Sequence, residues 1–218
     1  MLQLKNVCTS AGNFSVEDVN LTVLPGSCHV LLGGTGNGKT VILETIAGLR
    51  PTKRGEIWNN GREISHAVPE KREISYVPQD LALFPHLTVK QNILYAQRFK
   101  KNKNNVSRSL DEIVKYLNLE PVLSRTVQNL SGGERQRVAL ARAFMTGHKI
   151  MLLDEPFSAL HYTMRRSLWE LLLDMQKRYH LAVLMVTHDL EEAHVLADYV
   201  SVLHQGQVLQ SGTRDEVF

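Results

Sequence analysis

The sequence has few cysteines and lacks a long hydrophobic run. Among its 218 residues, Cys8 and Cys28 are the only cysteines, which gives neither a disulfide framework nor the spacing of a metal-binding motif. No apolar run approaches the roughly 18–20 residues needed to cross a bilayer, and residues 1–5 are typical of a strand and not of a signal peptide. These absences argue against a disulfide-stapled secreted domain and a membrane-spanning chain, and they predict a reducing, cytosolic compartment.

A strong excess of one charge is also missing. The net charge of +3 and the isoelectric point near 8.9 reflect a small surplus of basic residues spread along the chain. Nucleic-acid binding requires clustered basic residues, so we expect no nucleic acid among the partners. With 43% hydrophobic and 22% charged residues and no internal repeat, the sequence is typical of one globular core with room for a small subdomain.

A glycine-rich loop is the feature around which the rest of the chain is organised. Its residues fit the pattern G-x-x-x-x-G-K-[ST] of the phosphate-binding loop of nucleoside-triphosphate enzymes. They are Gly33, Gly34, Thr35, Gly36, Asn37, Gly38, Lys39 and Thr40. The apolar run ending at Leu32 predicts a buried strand before the loop, and residues 41–48 predict a helix that Gly48 closes. Glycines let backbone N–H groups approach phosphate oxygens, and the helix N-terminus adds partial positive charge.

Polar side chains complete this predicted nucleotide site. Lys39 is expected to reach the β- and γ-phosphates of a nucleoside triphosphate, and the Thr40 hydroxyl to hold Mg²⁺. Four apolar residues precede Asp154 and Glu155, which places two carboxylates at the end of a buried strand. Beside a phosphate loop, Asp154 suits a partner of Mg²⁺ and Glu155 a general base for water; capping of the next helix is the alternative. Phe14 is either a core aromatic residue or a platform on which adenine stacks.

The hydrophobic pattern predicts an α/β fold. Apolar alternation predicts an edge strand from residue 2, a second strand over residues 14–23, and a hairpin around Asn59-Asn60-Gly61, where Asn and Gly tolerate positive φ. Residues 81–143 have helical character, with an N-cap at Thr88. Within this stretch we predict a solvated loop over 100–105 and an amphipathic helix over 107–119. Further strands are predicted at 74–77, 149–155, 181–187, 199–203 and 207–210, and further helices at 163–179 and 190–197. This alternation predicts a mainly parallel sheet covered on both faces, with its ligand at the strand carboxyl ends.

A second glycine-rich segment carries the most specific pattern in the chain. It reads Leu130-Ser131-Gly132-Gly133-Glu134-Arg135-Gln136-Arg137 and continues through Val138-Ala139-Leu140-Ala141-Arg142-Ala143. This stretch closely resembles the signature sequence of ATP-binding cassette (ABC) ATPases. Ser131, Gly132 and Gly133 form a second helix start rich in N–H groups, suited to a γ-phosphate; a glycine-capped amphipathic helix is the plain alternative. The resemblance implies a head-to-tail homodimer, in which each ATP lies between the phosphate loop of one chain and Ser131, Gly132 and Gly133 of the other.

The resemblance covers nearly the whole chain and implies further roles. Gln79 resembles the glutamine that contacts Mg²⁺ and the attacking water, and His188 resembles the histidine that senses the γ-phosphate. The implied fold is a P-loop NTPase (RecA-like) core with an N-terminal antiparallel β subdomain and an inserted α-helical subdomain. The implied organisation is a single ABC ATPase domain over residues 1–218, with its core at about 1–80 and 146–218 and its helical subdomain at about 81–145.

Three positions depart from the family pattern. His161 stands where the family usually has Asp, a position through which the two nucleotide sites are coupled, so the resemblance leaves their cooperativity open. Gly34 stands where Pro or Ser is common, and Glu134 replaces a common Gln of the signature; both changes are expected to leave nucleotide binding intact.

The resemblance extends to one branch of the family. A single copy without a coiled-coil insertion favours the nucleotide-binding subunit of a membrane transporter. Residues 81–89 resemble a segment of importers for oxyanions, polyamines and iron, in which a groove accepts a short helix of the membrane subunit; the start of a hydrophobic subdomain is the alternative. Residues 12–14 and the short chain look most like importers of molybdate or tungstate. The implied partners are transmembrane permease subunits and, indirectly, an extracytoplasmic solute-binding protein, at the cytoplasmic face of the membrane.

A second reading belongs to another functional class. A non-transport ABC ATPase could act as a soluble nucleic-acid or protein-binding module, and it would bind DNA or RNA in a salt-sensitive way. Many relatives continue into a C-terminal regulatory β-domain; because the sequence ends at Phe218, we expect no feedback through such a domain.

Overall fold

The structure is a computed structural model that describes residues 1–99 and 109–218. Within these residues, strands form a four-stranded sheet in the order β2-β1-β4-β5 and a six-stranded sheet in the order β10-β9-β3-β8-β7-β6. The strands are β1 (Leu2–Ala11), β2 (Phe14–Val23), β3 (Cys28–Leu32), β4 (Arg54–Asn59), β5 (Arg62–Glu63), β6 (Ile74–Val77), β7 (Ile150–Asp154), β8 (Ala182–Thr187), β9 (Tyr199–His204) and β10 (Gln207–Thr213).

The four-stranded sheet is antiparallel. β1 pairs with β2 on one side, where Leu2 lies opposite Val23, and with β4 on the other, where Leu2 lies opposite Asn59. The prediction that β1 is an edge strand is therefore wrong: β4 returns beside it and pairs the backbone groups that an edge would leave free. The predicted hairpin is confirmed, since Asn60 and Gly61 join β4 to β5 with φ values of 48° and 80°.

The six-stranded sheet is mainly parallel, as predicted. Strands β9, β3, β8, β7 and β6 run parallel, and only β10 pairs in the antiparallel sense, with β9. Every residue of β3 is buried, because Val30 and Leu32 belong to one hydrophobic cluster and Leu31 to the other. Burial on both faces explains the unbroken apolar run in the sequence. The parallel direction also places Leu32 of β3 beside Thr187 of β8, and Asp154 of β7 beside Val186, at one edge of the sheet.

Helices pack against the six-stranded sheet or against one another. They are α1 (Lys39–Ala47), α2 (Val89–Ile93), α3 (Leu110–Tyr116), α4 (Gly132–Phe144), α5 (Tyr162–Tyr179), α6 (Leu190–Leu196) and α7 (Arg214–Val217). The predicted N-cap at Thr88 is confirmed, since its side chain forms a capping box with Gln91 at the start of α2. The helix predicted over 107–119 is observed as α3, which is shorter at its C-terminal end. Residues 107 and 108, and the loop predicted over 100–105, lie outside the described residues. The sequence pattern did not predict α7. Among the described residues, no helix has the length and hydrophobicity that crossing a bilayer requires.

Arg72 fixes the C-terminal end of α1. Its side chain is only 3% exposed, and its guanidinium donates to the carbonyl groups of Thr45 and Ile46, at 2.8 and 3.0 Å. The same guanidinium donates to the carbonyl groups of Ser65 and Ala67, at 2.9 and 2.8 Å. The last carbonyl groups of a helix lack intrahelical partners, and a cation there also opposes the helix dipole. Arg72 thus joins the helix that follows the glycine-rich loop to the segment before β6.

The replacement Arg72→Met is expected to lower the free energy of unfolding by about 3 kcal/mol, because it leaves buried carbonyl groups without donors. The measurement is urea denaturation followed by circular dichroism. Arg62→Met, at an exposed position of β5, is the matched control and is expected to change stability by less than about 0.5 kcal/mol. Equal denaturation midpoints for the two variants would show that Arg72 does not anchor α1.

Candidate functional site

The glycine-rich loop joins β3 to α1, as the sequence predicts. Gly36 and Gly38 have φ values of 83° and 97°, in the left-handed region that favours glycine. Space imposes the same choice at Gly38, because a Cβ there would lie 2.7 Å from Cε1 of Phe14 and 3.0 Å from Cγ2 of Val16. The first helical bond of α1 runs from the Ile42 N–H to the Gly38 carbonyl, so the N–H groups before it remain available at the helix start.

Asn37 joins this loop to the end of β9 and the turn that follows it. Its amide Nδ2 donates to the Leu203 carbonyl at 3.2 Å, and its Oδ1 accepts from the Gln205 N–H at 3.3 Å. The Gly206 N–H donates to the Asn37 carbonyl at 3.2 Å. The turn between β9 and β10 therefore holds the loop in shape. The sequence motif leaves this position unrestricted, so it gave no sign of the contact.

Lys39 is buried at the centre of the site. Its side chain is 5% exposed, and its Nζ donates to the carbonyl groups of Gly33 and Gly34 at 2.8 and 3.1 Å. The same Nζ lies 3.2 Å from Oε1 of Glu155. The carbonyl contacts fold the lysine back across the loop, and the carboxylate balances its charge. The ammonium group thus lies at the position where a phosphate on this loop would need a positive charge.

Thr40 and Asp154 form a second pair of polar groups. The Thr40 hydroxyl donates to Oδ1 of Asp154 at 3.1 Å, and the Tyr76 hydroxyl donates to Oδ2 at 3.2 Å. Burial raises the pKa of Asp154, although both hydrogen bonds oppose that shift. Burial also raises the pKa of Tyr76, and the neighbouring charge of Asp154 adds to the effect. A hydroxyl and a carboxylate oxygen at this spacing fit Mg²⁺, a hard cation that takes oxygen ligands. The only sequence sign of Tyr76 was a polar group in a short apolar strand.

Glu155 and His188 form the next contact of the site. The Nδ1 of His188 lies 3.0 Å from Oε2 of Glu155, so one carboxylate contacts both Lys39 and His188. Glu155 has a φ of 42°, unusual for a residue other than glycine, and its N–H donates to the Val186 carbonyl. The register of β7 against β8 therefore sets where this carboxylate lies. A carboxylate and an imidazole in contact form a pair that can orient water and move a proton.

Glu192 fixes the turn that carries His188. Its carboxylate is 2% exposed and accepts from the Thr187 hydroxyl at 2.7 Å, while that hydroxyl accepts from the Asp189 N–H at 3.0 Å. Arg165 of α5 donates to Asp189 at 2.7 Å and lies 3.7 Å from Glu192. Burial raises the pKa of Glu192, and the Thr187 hydrogen bond opposes that rise. Sequence reasoning did not identify this buried support.

The cavity beside the loop contains several of the predicted residues. Its volume is about 300 Å³. Its lining residues include Phe14, Thr35, Gly36, Gly38, Lys39, Thr40, Gln79 and Glu155. Phe14 packs against Gly38 and lines this cavity, and it also packs against a hydrophobic core cluster, which is compatible with both interpretations, a core residue and a stacking platform. Gln79 is exposed and lies at the cavity rim, after β6 has ended.

The second glycine-rich segment, residues 131–133, is not among the residues that line this cavity. Ser131 caps α4 through a capping box with Glu134: its hydroxyl accepts from the Glu134 N–H at 3.3 Å, and its N–H donates to the Glu134 carboxylate at 2.7 Å. These hydrogen bonds lower the pKa of Glu134. A Cβ on Gly132 would lie 3.5 Å from Leu160, and one on Gly133 would lie 3.1 Å from Met164. The described contacts of this segment are with the start of α5 and not with the phosphate loop.

The fold and the loop define a class of protein. A mainly parallel sheet with a glycine-rich loop between β3 and α1, a buried lysine at the helix start and a carboxylate at the end of β7, one strand beyond β8, is the arrangement of P-loop nucleoside triphosphatases. A family model described as ABC transporter matches residues 16–158, which is more than half of the chain. The chain therefore belongs to the ABC transporter family.

Solved structures of other cassettes share this fold. The chain resembles cbiO1 from Clostridium perfringens, part of the ABC transporter complex cbiONQ, with 26% identity, a TM-score of 0.87, and coverage of 100% of this chain and 90% of that one. It also resembles MJ0796, a bacterial ABC transporter cassette solved as a dimer, with 26% identity, a TM-score of 0.84, and coverage of 98% and 99%. A post-hydrolysis dimer of MJ0796 bound to ADP and Pi matches with 26% identity, a TM-score of 0.83 and the same coverage. The predicted fold class is confirmed.

Proposed function

We propose that this chain is the subunit that binds and hydrolyses ATP to power an ABC importer. The observation that carries the proposal is the contact of Glu155 with both Lys39 and His188, beside the Thr40–Asp154 pair. We assign all 218 residues to one ABC ATPase domain, with a core of about 1–80 and 146–218 and a helical subdomain of about 81–145. MJ0796 bound to ADP and Pi supports nucleotide turnover on this fold.

Each residue of the site has a proposed task. The N–H groups of the glycine loop and the Lys39 ammonium bind the phosphates, and Phe14 stacks on adenine. Thr40, Asp154 and Gln79 would hold Mg²⁺, which supplies charge neutralisation at the phosphate oxygens when bound. Phosphoryl transfer depends mainly on positioning and electrostatics.

Glu155 and Gln79 contact the attacking water, and His188 supports Glu155. Glu155 accepts its proton and orients it, and His188 steadies both Glu155 and the γ-phosphate. Gln79 contacts the same water from the cavity rim, which its place in the lining allows.

The second glycine-rich segment serves the nucleotide of another copy. Ser131, Gly132 and Gly133 start a helix of 13 residues yet lie away from the loop of their own chain, so we propose a head-to-tail homodimer with ATP between the copies. The dimeric structures of MJ0796 support this arrangement. The side chain of Leu160 lies near Gly132, and His161 is the next residue and is exposed. We therefore place His161 beside the same proposed interface.

A groove next to the site suits a membrane partner. Its volume is about 700 Å³. Its lining residues include Leu49, Tyr76, Pro78, Gln79, Asp80, Ala82, Phe84 and Arg142. Leu49 is 58% exposed, large for an apolar residue, and we propose that a short helix of a permease subunit covers it. The description of cbiO1 as part of cbiONQ supports such a complex.

The finer parts of the proposal rest on the resemblance of residues 81–89 to importers and, for the solute, on that of residues 12–14. They are an oxyanion such as molybdate or tungstate as the solute, an extracytoplasmic solute-binding protein as an indirect partner, and a position at the cytoplasmic face of the membrane. Membership of the ABC transporter family favours this role over that of a soluble nucleic-acid or protein-binding module.

Isolation of the tagged chain from detergent-solubilised membranes of its own cells tests the proposal. A membrane permease is expected to co-purify in fixed proportion, and the complex is expected to hydrolyse ATP only with Mg²⁺ and faster with molybdate or tungstate and the solute-binding protein present. The proposal fails if the chain shows no ATP hydrolysis, or if it is recovered with nucleic acid in a salt-sensitive complex and without a membrane protein.

A further inference from the structure

The turn after Gln79 has an unusual backbone. Leu81 and Ala82 are consecutive and have φ values of 64° and 41°, in the left-handed region. Side chains with a Cβ rarely adopt this region, because the Cβ approaches the following carbonyl oxygen. Two such residues in succession need support from their surroundings. Glycine would adopt both conformations without that cost, yet the sequence has Leu and Ala.

Arg142 supplies that support from the last turn of α4. Its Nη2 donates to the Leu81 carbonyl and its Nη1 to the Ala82 carbonyl, both at 2.6 Å. The planar guanidinium offers two donors in a fixed fork, which suits two adjacent carbonyl groups. Its Cζ also lies 5.7 Å from the centre of the Phe84 ring. Burial lowers the pKa of Arg142, and the negative charge of Asp80 opposes that shift.

Hydrogen bonds that do not involve Arg142 hold the residues before and after Leu81 and Ala82. Asn92 is fully buried; its Oδ1 accepts from the Phe84 N–H at 2.9 Å, and its Nδ2 donates to the Phe84 carbonyl at 3.1 Å. The Leu81 N–H donates to the Pro78 carbonyl at 2.9 Å. This last hydrogen bond closes a turn that contains Gln79, so Gln79 lies between the end of β6 and the supported residues Leu81 and Ala82.

We propose that Arg142 is a positioning residue that links Gln79 to the start of α4, so that the Ser131–Gly133 segment and the Gln79 turn move as one unit. Arg142 lies ten residues after Gly132 on one continuous helix, a separation of about 15 Å. A helix transmits a displacement over that distance because its backbone hydrogen bonds are all internal. The inference rests on the proposed function, since Gln79 and Ser131 have their roles there.

The first test is a double-mutant cycle on ATP turnover, with Arg142→Lys and Gln79→Ala. A lysine keeps the charge but loses the fork, so kcat is expected to fall about tenfold while KM for ATP changes less than twofold. In the Gln79→Ala background, Arg142→Lys is expected to change kcat less than twofold, because the residue through which it acts is gone. Ala82→Gly is expected to restore at least half of the kcat lost in Arg142→Lys, since glycine needs no support at this φ. Arg178→Lys, which affects an exposed arginine paired with Glu112, is the control.

Hydrogen exchange tests the same link without relying on hydrolysis. In Arg142→Lys, the backbone N–H groups of residues 79–84 are expected to exchange at least tenfold faster, while those of residues 33–40 keep their protection. Additive effects on kcat, or unchanged exchange over residues 79–84, would overturn the inference. A wild-type chain that does not hydrolyse ATP would overturn the proposed function instead, and the exchange result would still decide whether Arg142 positions this turn.

Discussion

Replacing Lys39 with methionine is expected to reduce ATP turnover by at least about 10²–10³-fold, because a single preorganised charged donor contributes that much to charge stabilisation in a buried site. The ammonium group is buried and donates to the carbonyl groups of Gly33 and Gly34, so its removal takes away both the positive charge and two hydrogen bonds within the loop. ATP affinity is expected to fall as well, since Lys39 contributes to ground-state binding of the phosphates. Isothermal titration with ATP and a phosphate-release assay measure the two effects.

The matched control is Lys53→Met, which removes an exposed lysine of the turn before β4. It is expected to leave both ATP affinity and turnover unchanged. Circular dichroism verifies that each variant is folded, because Lys39→Met also leaves Glu155 with one cationic partner fewer. Wild-type turnover in a folded Lys39→Met variant would remove the basis for the proposed chemistry.

Replacing Glu155 with glutamine is expected to separate nucleotide binding from hydrolysis. The amide keeps the shape of the side chain and can still accept from His188, which lies 3.0 Å away. It cannot accept a proton from water, so turnover is expected to fall about 10²–10⁴-fold while ATP remains bound. If ATP joins two copies, this variant accumulates as a dimer in Mg-ATP, which size-exclusion chromatography with light scattering detects.

A second variant tests where the dimer contact lies. Adding Ser131→Arg to Glu155→Gln places a bulky side chain at the start of α4 and is expected to return the protein to monomer in Mg-ATP. Ser131 is exposed, and the loss of its capping hydroxyl is expected to cost about 1 kcal/mol, so the variant is expected to stay folded. A Glu155→Gln protein that stays monomeric and turns over ATP at the wild-type rate would contradict both the general base and the dimer.

The sequence predicted the local features of the site well, and for a physical reason. The glycine loop, the strand before it and the helix after it lie in one continuous stretch, so their order follows from short-range constraints such as left-handed φ values and an apolar run. The same holds for the Asn60-Gly61 turn and the Thr88 cap. The prediction that β1 is an edge strand was wrong, because no local signal indicates that the distant strand β4 pairs beside it.

The sequence by itself determined the residue types that we propose bind phosphate, the order of the strands and helices apart from α7, and the two glycine-rich helix starts. Only the tertiary structure decided that Glu155 contacts both Lys39 and His188, that Asn37 is held by the turn after β9, and that Arg142 supports Leu81 and Ala82. These contacts join residues 33 to 168 positions apart. The contacts of Glu155 and Asn37 follow from the order of β9, β3, β8 and β7 in one sheet, which has to bury both of its faces at once. The contact of Arg142 follows from the packing of α4 against β6.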